Sequence, residues 1–97
     1  MIDAGPAMTP LVLELDGELS RAALPSLSAH VQAVLDTHEH DIVECDLAHA
    51  AADAVTVEAL ARLRLATLRR DCPLTLRGVT PELRQLIEFM GLRAALG

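Results

Sequence analysis

Residues 42–68 read IVECDLAHAAADAVTVEALARLRLATL and join a strand, a short loop and a helix in direct succession. The apolar run that starts at Ile42 predicts a strand ending at Leu47. A loop of small residues follows, and Asp53 is a favourable N-cap for a helix over residues 54–70. Because the first turn of a helix leaves backbone N–H groups free, the loop before this helix is a candidate binding surface.

The segments on either side continue the alternation of strands and helices. Ser20 is predicted to cap a helix that reaches Thr37, and Thr80-Pro81-Glu82 is typical of a helix start, with Gly91 at its end. The predicted elements outside the central stretch are strands at residues 11–15 and 74–76, helices at residues 20–37 and 81–90, and a last helical turn at residues 92–96. This pattern predicts an α/β domain with parallel strands.

Residues 1–10 are predicted to be a flexible lead-in or a short edge strand near Met8, because Pro6 and Pro10 disfavour regular structure. Residues 11–97 then form one domain, which is long enough to bury a core. The chain has no Trp or Tyr and one Phe, so an aliphatic core is expected.

Composition narrows the classes of partner. The net charge is −6, and all eight basic residues are arginines, so nucleic acid is not an expected partner. The chain contains no apolar run of membrane-spanning length and no signal peptide at its start. We therefore expect a cytoplasmic protein with no direct membrane insertion.

Three segments resemble the STAS domain family, which includes bacterial anti-sigma factor antagonists and the cytoplasmic tails of sulfate transporters. They are LELDGELS (13–20), IVECDLAHA (42–50) and LTLRGVTPELRQLIEFMGL (74–92). Their order and spacing cover nearly the whole chain. The resemblance implies a single STAS-like domain with a mixed four- to five-stranded sheet packed against about four helices.

The loop before the central helix departs from the family pattern. The family usually has Asp-Ser-Ser-Gly or Asp-Ser-Thr-Gly there, and a partner kinase phosphorylates the second hydroxyl residue. This chain has Asp53-Ala54-Val55-Thr56, and Val55 has no oxygen that could accept a phosphate. Thr56 could be an alternative phosphorylation site in the first helical turn, although an ordinary first-turn residue that exchanges hydrogen bonds with Asp53 is the favoured interpretation.

Two interpretations are open for the helix that follows. Its polar face is predicted at Glu58, Arg62 and Arg69, and its core stripe at Val57, Leu60, Ala61 and Leu68. Arg64 falls within that stripe and Leu65 beside the polar face. Either Arg64 extends to the sheet edge while Leu65 packs under a loop, or both residues belong to a partner surface. The predicted partner-binding residues are Asp53, Ala54, Val55, Thr56, Glu58, Arg64 and Leu65.

No other part of the sequence predicts chemistry. His38, Glu39, His40 and Asp41, with His49 and Cys45 nearby, contain metal-ligand types, but a solvated polar turn is the favoured interpretation, and no metal site is predicted. Cys45 and Cys72 are expected to be reduced packing residues. No catalytic set and no cofactor motif is present, so the chain is not expected to be an enzyme.

The resemblance implies a protein-interaction module in bacterial signalling and transcription regulation. Its expected partner is an anti-sigma factor or a related kinase-like regulator, and the module itself is expected to be a monomer or a weak homodimer. One alternative is a STAS subunit bound to the ATPase of a bacterial ABC transporter for lipids. Another is a module that senses a nucleotide or a small lipid.

Overall fold

The computed structural model describes residues 10–37 and 42–91, which contain three strands, three α-helices and one short 3-10 helix. The strands are β1 (Leu11–Glu14), β2 (Val43–Asp46) and β3 (Leu74–Arg77). The helices are α1 (Leu24–Thr37), α2 (Ala54–Leu68) and α3 (Pro81–Phe89), and the 3-10 helix Arg21–Ala23 leads into α1.

The three strands form a parallel sheet in the order β1-β2-β3. Successive side chains of a strand point to opposite faces of the sheet. Two rows of paired residues define the faces: Leu13, Cys45 and Leu76 on one, and Glu14, Asp46 and Arg77 on the other. The first face is apolar and packs against the helices, whereas the second is polar and at least partly exposed.

The core lies between the apolar sheet face and the helices. Val31 of α1, Cys45 of β2, Leu60 of α2 and Leu83 of α3 are all fully buried there. Phe89, the one aromatic residue of the chain, is 87% exposed. The aliphatic core that the composition predicts is therefore confirmed.

The parallel α/β arrangement is confirmed, but the mixed four- to five-stranded sheet with about four helices is not. The described residues contain three strands, all of them parallel, and three α-helices. The predicted edge strand near Met8 and the predicted turn at residues 92–96 lie outside the described residues. Among the helices of the described part, none combines the length and the apolar character needed to cross a bilayer.

The start of α1 differs from its prediction. Ser20 precedes the 3-10 helix instead of the α-helix, and its side chain makes no capping hydrogen bond. The α-helix begins at Leu24, which puts Pro25 in the first turn, where the missing N–H has no intrahelical partner to lose. The start of α3 agrees with its prediction, because Thr80 Oγ1 accepts a hydrogen bond from the Leu83 N–H at 3.2 Å.

Candidate functional site

Asp53 ends the loop between β2 and α2 and caps the helix. Its backbone is extended (φ −138°, ψ 170°), and its Oδ1 accepts a hydrogen bond from the Thr56 N–H at 2.9 Å. This bond satisfies one of the donors that the first turn leaves free. The predicted N-cap is confirmed. Of the predicted exchange of hydrogen bonds with Thr56, only the bond donated by the Thr56 N–H is present, because Thr56 Oγ1 has no partner among the described residues.

Backbone hydrogen bonds fix the loop against the end of β1. The Gly17 N–H donates to the His49 carbonyl at 2.8 Å, and the Ala51 N–H donates to the Gly17 carbonyl at 3.0 Å. At the start of the loop, the Ala48 N–H donates to Asp46 Oδ1 at 3.0 Å. The conformation of the loop is thus set by contacts within the chain.

Gly78, which follows β3, supports the same loop from the other side of β2. Its φ is +68°, and a Cβ built on it would lie 3.0 Å from both the Cβ and the backbone nitrogen of Ala48. Glycine is therefore favoured at this position for two reasons, the left-handed backbone and the lack of space. The sequence predicts a strand over residues 74–76, and no feature of the sequence predicts this supporting role of Gly78.

The residues from Asp53 to Thr56 differ in accessibility. Ala54 is exposed, Val55 is partly buried against the core, and Thr56 is fully buried. Thr56 Oγ1 has no hydrogen-bond partner among the described residues. A kinase could reach this hydroxyl only after the first turn of α2 had opened, so the burial argues against Thr56 as an alternative phosphate acceptor.

Glu58 lies on the outer side of α2 between two arginines. Its Oε1 is 2.7 Å from Arg21 Nη1, and its Oε2 is 3.5 Å from Arg62 Nη2. The pair with Arg21 joins the 3-10 helix to the first half of α2. Exposed ion pairs of this kind contribute about 1 kcal/mol or less, so a partner could compete for the carboxylate of Glu58 at little cost.

The second half of α2 and the C-cap residue that follows it include two leucines and two arginines at least partly exposed to solvent. Leu65 is 58% exposed and Leu68 is 52% exposed. Arg64 is partly buried and Arg69 is exposed. Within the described residues, neither arginine forms an ion pair.

The prediction that Leu68 and Ala61 belong to the core stripe of α2 is wrong for Leu68 and only partly right for Ala61, which is partly buried. Val57 and Leu60 are buried as predicted. The buried face is centred on Thr56, Leu60, Leu63 and Thr67. Apolar residues occur on every side of this helix, so periodicity alone could not locate the centre of its buried face.

The outer side of α2 consists of five residues with regular spacing. Ala54, Glu58, Ala61, Leu65 and Leu68 follow one another at alternate intervals of four and three residues. Residues with this spacing align along one side of a helix. All five are exposed or partly buried, whereas Thr56, Leu60, Leu63 and Thr67, which have the same kind of spacing, are buried, so the spacing alone does not tell which side faces outward.

Both cysteines lie within the described residues, and the pKa of one of them is strongly raised. Burial, together with the charge of Asp46, raises the pKa of the Cys45 thiol from 9.0 to about 12, which makes it a poor nucleophile near neutral pH. Cys45 and Cys72 are both buried and neither is in a disulfide, as predicted. No group of three or more His, Cys, Asp or Glu among the described residues could hold a metal ion, and His38 to Asp41 lie outside them.

Comparison with known proteins identifies one family. A family model described as "Mlab, STAS domain" matches residues 6–97, nearly the whole chain. No curated protein matches the sequence.

Proposed function

The chain belongs to the STAS domain family, and from this membership we propose that it is a non-catalytic protein-interaction module. It docks on an anti-sigma factor or a related kinase-type regulator in a bacterium, and so takes part in transcription regulation. The contact surface comprises the loop that ends at Asp53 and the outer side of α2.

The fixed conformation of the loop supports this proposal. Asp53, Gly17 and Gly78 each hold the loop through a different contact: a helix cap, two backbone hydrogen bonds and a close approach to Ala48. A surface that is ordered before binding loses less conformational entropy when it binds. The loop therefore suits a protein partner that recognises a fixed shape.

The absence of an accessible hydroxyl in Asp53–Thr56 is the observation that carries the proposed mode of action. Val55 occupies the position that is phosphorylated in the family pattern, and Thr56 is fully buried. In the usual switch, the added phosphate changes the charge at the helix N-terminus and releases the partner. Without an acceptor, the module binds its partner constitutively.

Restoring the acceptor tests this proposal. We expect the wild-type chain to bind the regulator with the same Kd before and after incubation with ATP and Mg²⁺. Val55→Ser is expected to gain one phosphate, detected by intact-mass spectrometry, and then to lose affinity. Ala54→Ser is the matched control, because it adds a hydroxyl at the neighbouring position. Stoichiometric phosphate on residues 53–56 of the wild-type chain would contradict constitutive binding.

A STAS subunit bound to the ATPase of an ABC-type lipid transporter is the second candidate. The missing acceptor favours it as well, since a structural subunit does not need a phosphate switch. The two candidates differ in the partner that is bound. Isothermal titration of the purified chain against anti-sigma-type regulators and transporter ATPases from the same genome separates them, and binding to neither class would exclude both.

A further inference from the structure

Leu65 and Leu68 form an exposed apolar patch on the second half of α2, with Arg64 and Arg69 on its two sides. We call these four residues the leucine patch. A helix turns by about 100° per residue, so Arg64 lies about 40° beyond Leu68, and Arg69 lies about 40° beyond Leu65 in the opposite direction. Two apolar side chains are thus bordered by one guanidinium group on each side.

The charge of the patch is opposite to that of the whole chain. The chain has 14 acidic residues against eight arginines and a net charge of −6. Arg62 and Arg70, which neighbour the patch, pair with Glu58 and Asp36. Arg64 and Arg69 pair with no carboxylate of the described residues.

We propose that the leucine patch binds an acidic amphipathic helix of the partner protein. Apolar side chains of that helix pack on Leu65 and Leu68, and its carboxylates face Arg64 and Arg69. This inference rests on the proposed function and adds the chemical class of the partner's contact segment.

The shape of the outer side of α2 favours a helix as the bound element. Ala61 lies one turn before Leu65 on the same side, and a small residue there lets a second helix approach closely. Side chains spaced by three and four residues form ridges that a second helix can accommodate between its own ridges. A second copy of this chain fits less well, because it would bring a net charge of −6 towards another −6 and arginines towards arginines.

A pair of designed peptides tests the proposal without the natural partner. The first is a helical peptide of about 21 residues (three heptads) with leucine at positions a and d and glutamate at e and g. The second has lysine in place of each glutamate. We expect fluorescence anisotropy to detect binding of the acidic peptide only, with an affinity that falls as salt is added.

Charge reversal at the patch should weaken this binding. The double variant Arg64→Glu/Arg69→Glu is expected to raise the Kd by about tenfold, which corresponds to about 1.4 kcal/mol. Arg84→Glu is the control and is compared with Arg64→Glu alone, so that the change in net charge is equal, since Arg84 is exposed on α3 and also pairs with no carboxylate of the described residues. A second variant, Arg64→Gln/Arg69→Gln, removes both charges without reversing them and should weaken binding less. It keeps the test valid if the charge-reversed variant misfolds. Circular dichroism shows whether each variant is folded.

Four results would overturn the inference. They are equal binding of the two peptides, binding of neither peptide, an equal loss in the Arg84→Glu control, and a concentration-dependent dimer that Leu65→Ser abolishes. The proposed function can survive such a failure. If Ala54→Arg weakens binding of the natural regulator and the patch variants do not, the loop is the interface and the leucine patch is not.

Discussion

Two buried threonines of α2 differ in a single hydrogen bond. Thr67 Oγ1 donates to the Arg64 carbonyl at 2.9 Å, whereas Thr56 Oγ1 has no partner among the described residues. Both side chains are fully buried. A buried hydroxyl without a partner loses its hydrogen bonds to water and gains nothing in return.

Replacing each threonine with valine should therefore change stability in opposite directions. Thr56→Val is expected to raise the free energy of unfolding by about 1 kcal/mol, because it removes an unpaired polar group. Thr67→Val is expected to lower it by about 1 kcal/mol through loss of a hydrogen bond. Urea denaturation of the two variants measures both effects, and a loss of stability in Thr56→Val would mean that its hydroxyl is satisfied in solution.

Asp53 can be tested in the same way as a helix cap. Asp53→Ala should lower the free energy of unfolding by about 1 kcal/mol, because the Thr56 N–H loses its acceptor. Asp53→Asn keeps an oxygen in that position and should be close to neutral. Equal losses in the two variants would show that charge, and not the hydrogen bond, gives Asp53 its effect.

At the scale of single residues, the sequence predicted two helix caps correctly and one, at Ser20, incorrectly. The caps at Asp53 and Thr80 follow from residue type and from the three residues after each. The burial of Thr56 could not be predicted, because it depends on how α2 is rotated against the sheet. A threonine in a first helical turn is compatible with either environment.

At the scale of elements, Gly78 couples the end of β3 to the loop before α2. Gly78→Ala should lower the free energy of unfolding by about 2–3 kcal/mol, because it adds both a left-handed backbone penalty and a close contact with Ala48. Gly17→Ala is the matched control. Its φ is also +68°, but a Cβ there meets nothing within 4 Å, so the cost should be about 1 kcal/mol.

The difference between the two glycine variants isolates the close approach to Ala48. Chemical denaturation of both variants under one set of conditions provides the comparison. Similar losses would indicate that the loop moves aside easily, and the loop would then not be a fixed surface.

The bounds of β2 and α2 were largely predictable from the sequence, but which side of each helix is buried was less so. Residues 42–47 and 54–70 were predicted for β2 and α2, and the structure has Val43–Asp46 and Ala54–Leu68. Short apolar runs and helix caps are local features, so they locate elements well. The exposure of Leu68 depends on which neighbours α2 packs against, and that information is not local.

For the whole molecule, the dependence of stability on alkaline pH should report mainly on the buried cysteines. The chain contains neither Lys nor Tyr, so few side chains other than the two cysteines titrate between about pH 9 and 12. Burial and the nearby Asp46 charge raise the pKa of Cys45 from 9.0 to about 12 in the folded state. The folded protein therefore keeps a proton that the unfolded chain loses above about pH 9.

This difference predicts that stability falls as pH rises from about 9 towards 12, because the unfolded state then binds fewer protons than the folded state. Urea denaturation across this range measures the slope. Cys45→Ala should be less stable at every pH because it leaves a cavity, but its stability should depend less on pH. An unchanged slope in Cys45→Ala would assign the alkaline loss to another group.

The parallel order of the strands has a further consequence, for the rate of folding. Each pair of neighbouring strands joins residues about thirty positions apart, as in Leu11 with Val43 and Val43 with Leu74. The described sheet therefore cannot start from a tight hairpin. A long loop must close before any two strands can pair, and this closure costs conformational entropy. We expect this domain to fold more slowly than a helical bundle of equal length, with α1 and α2 bringing the strands together.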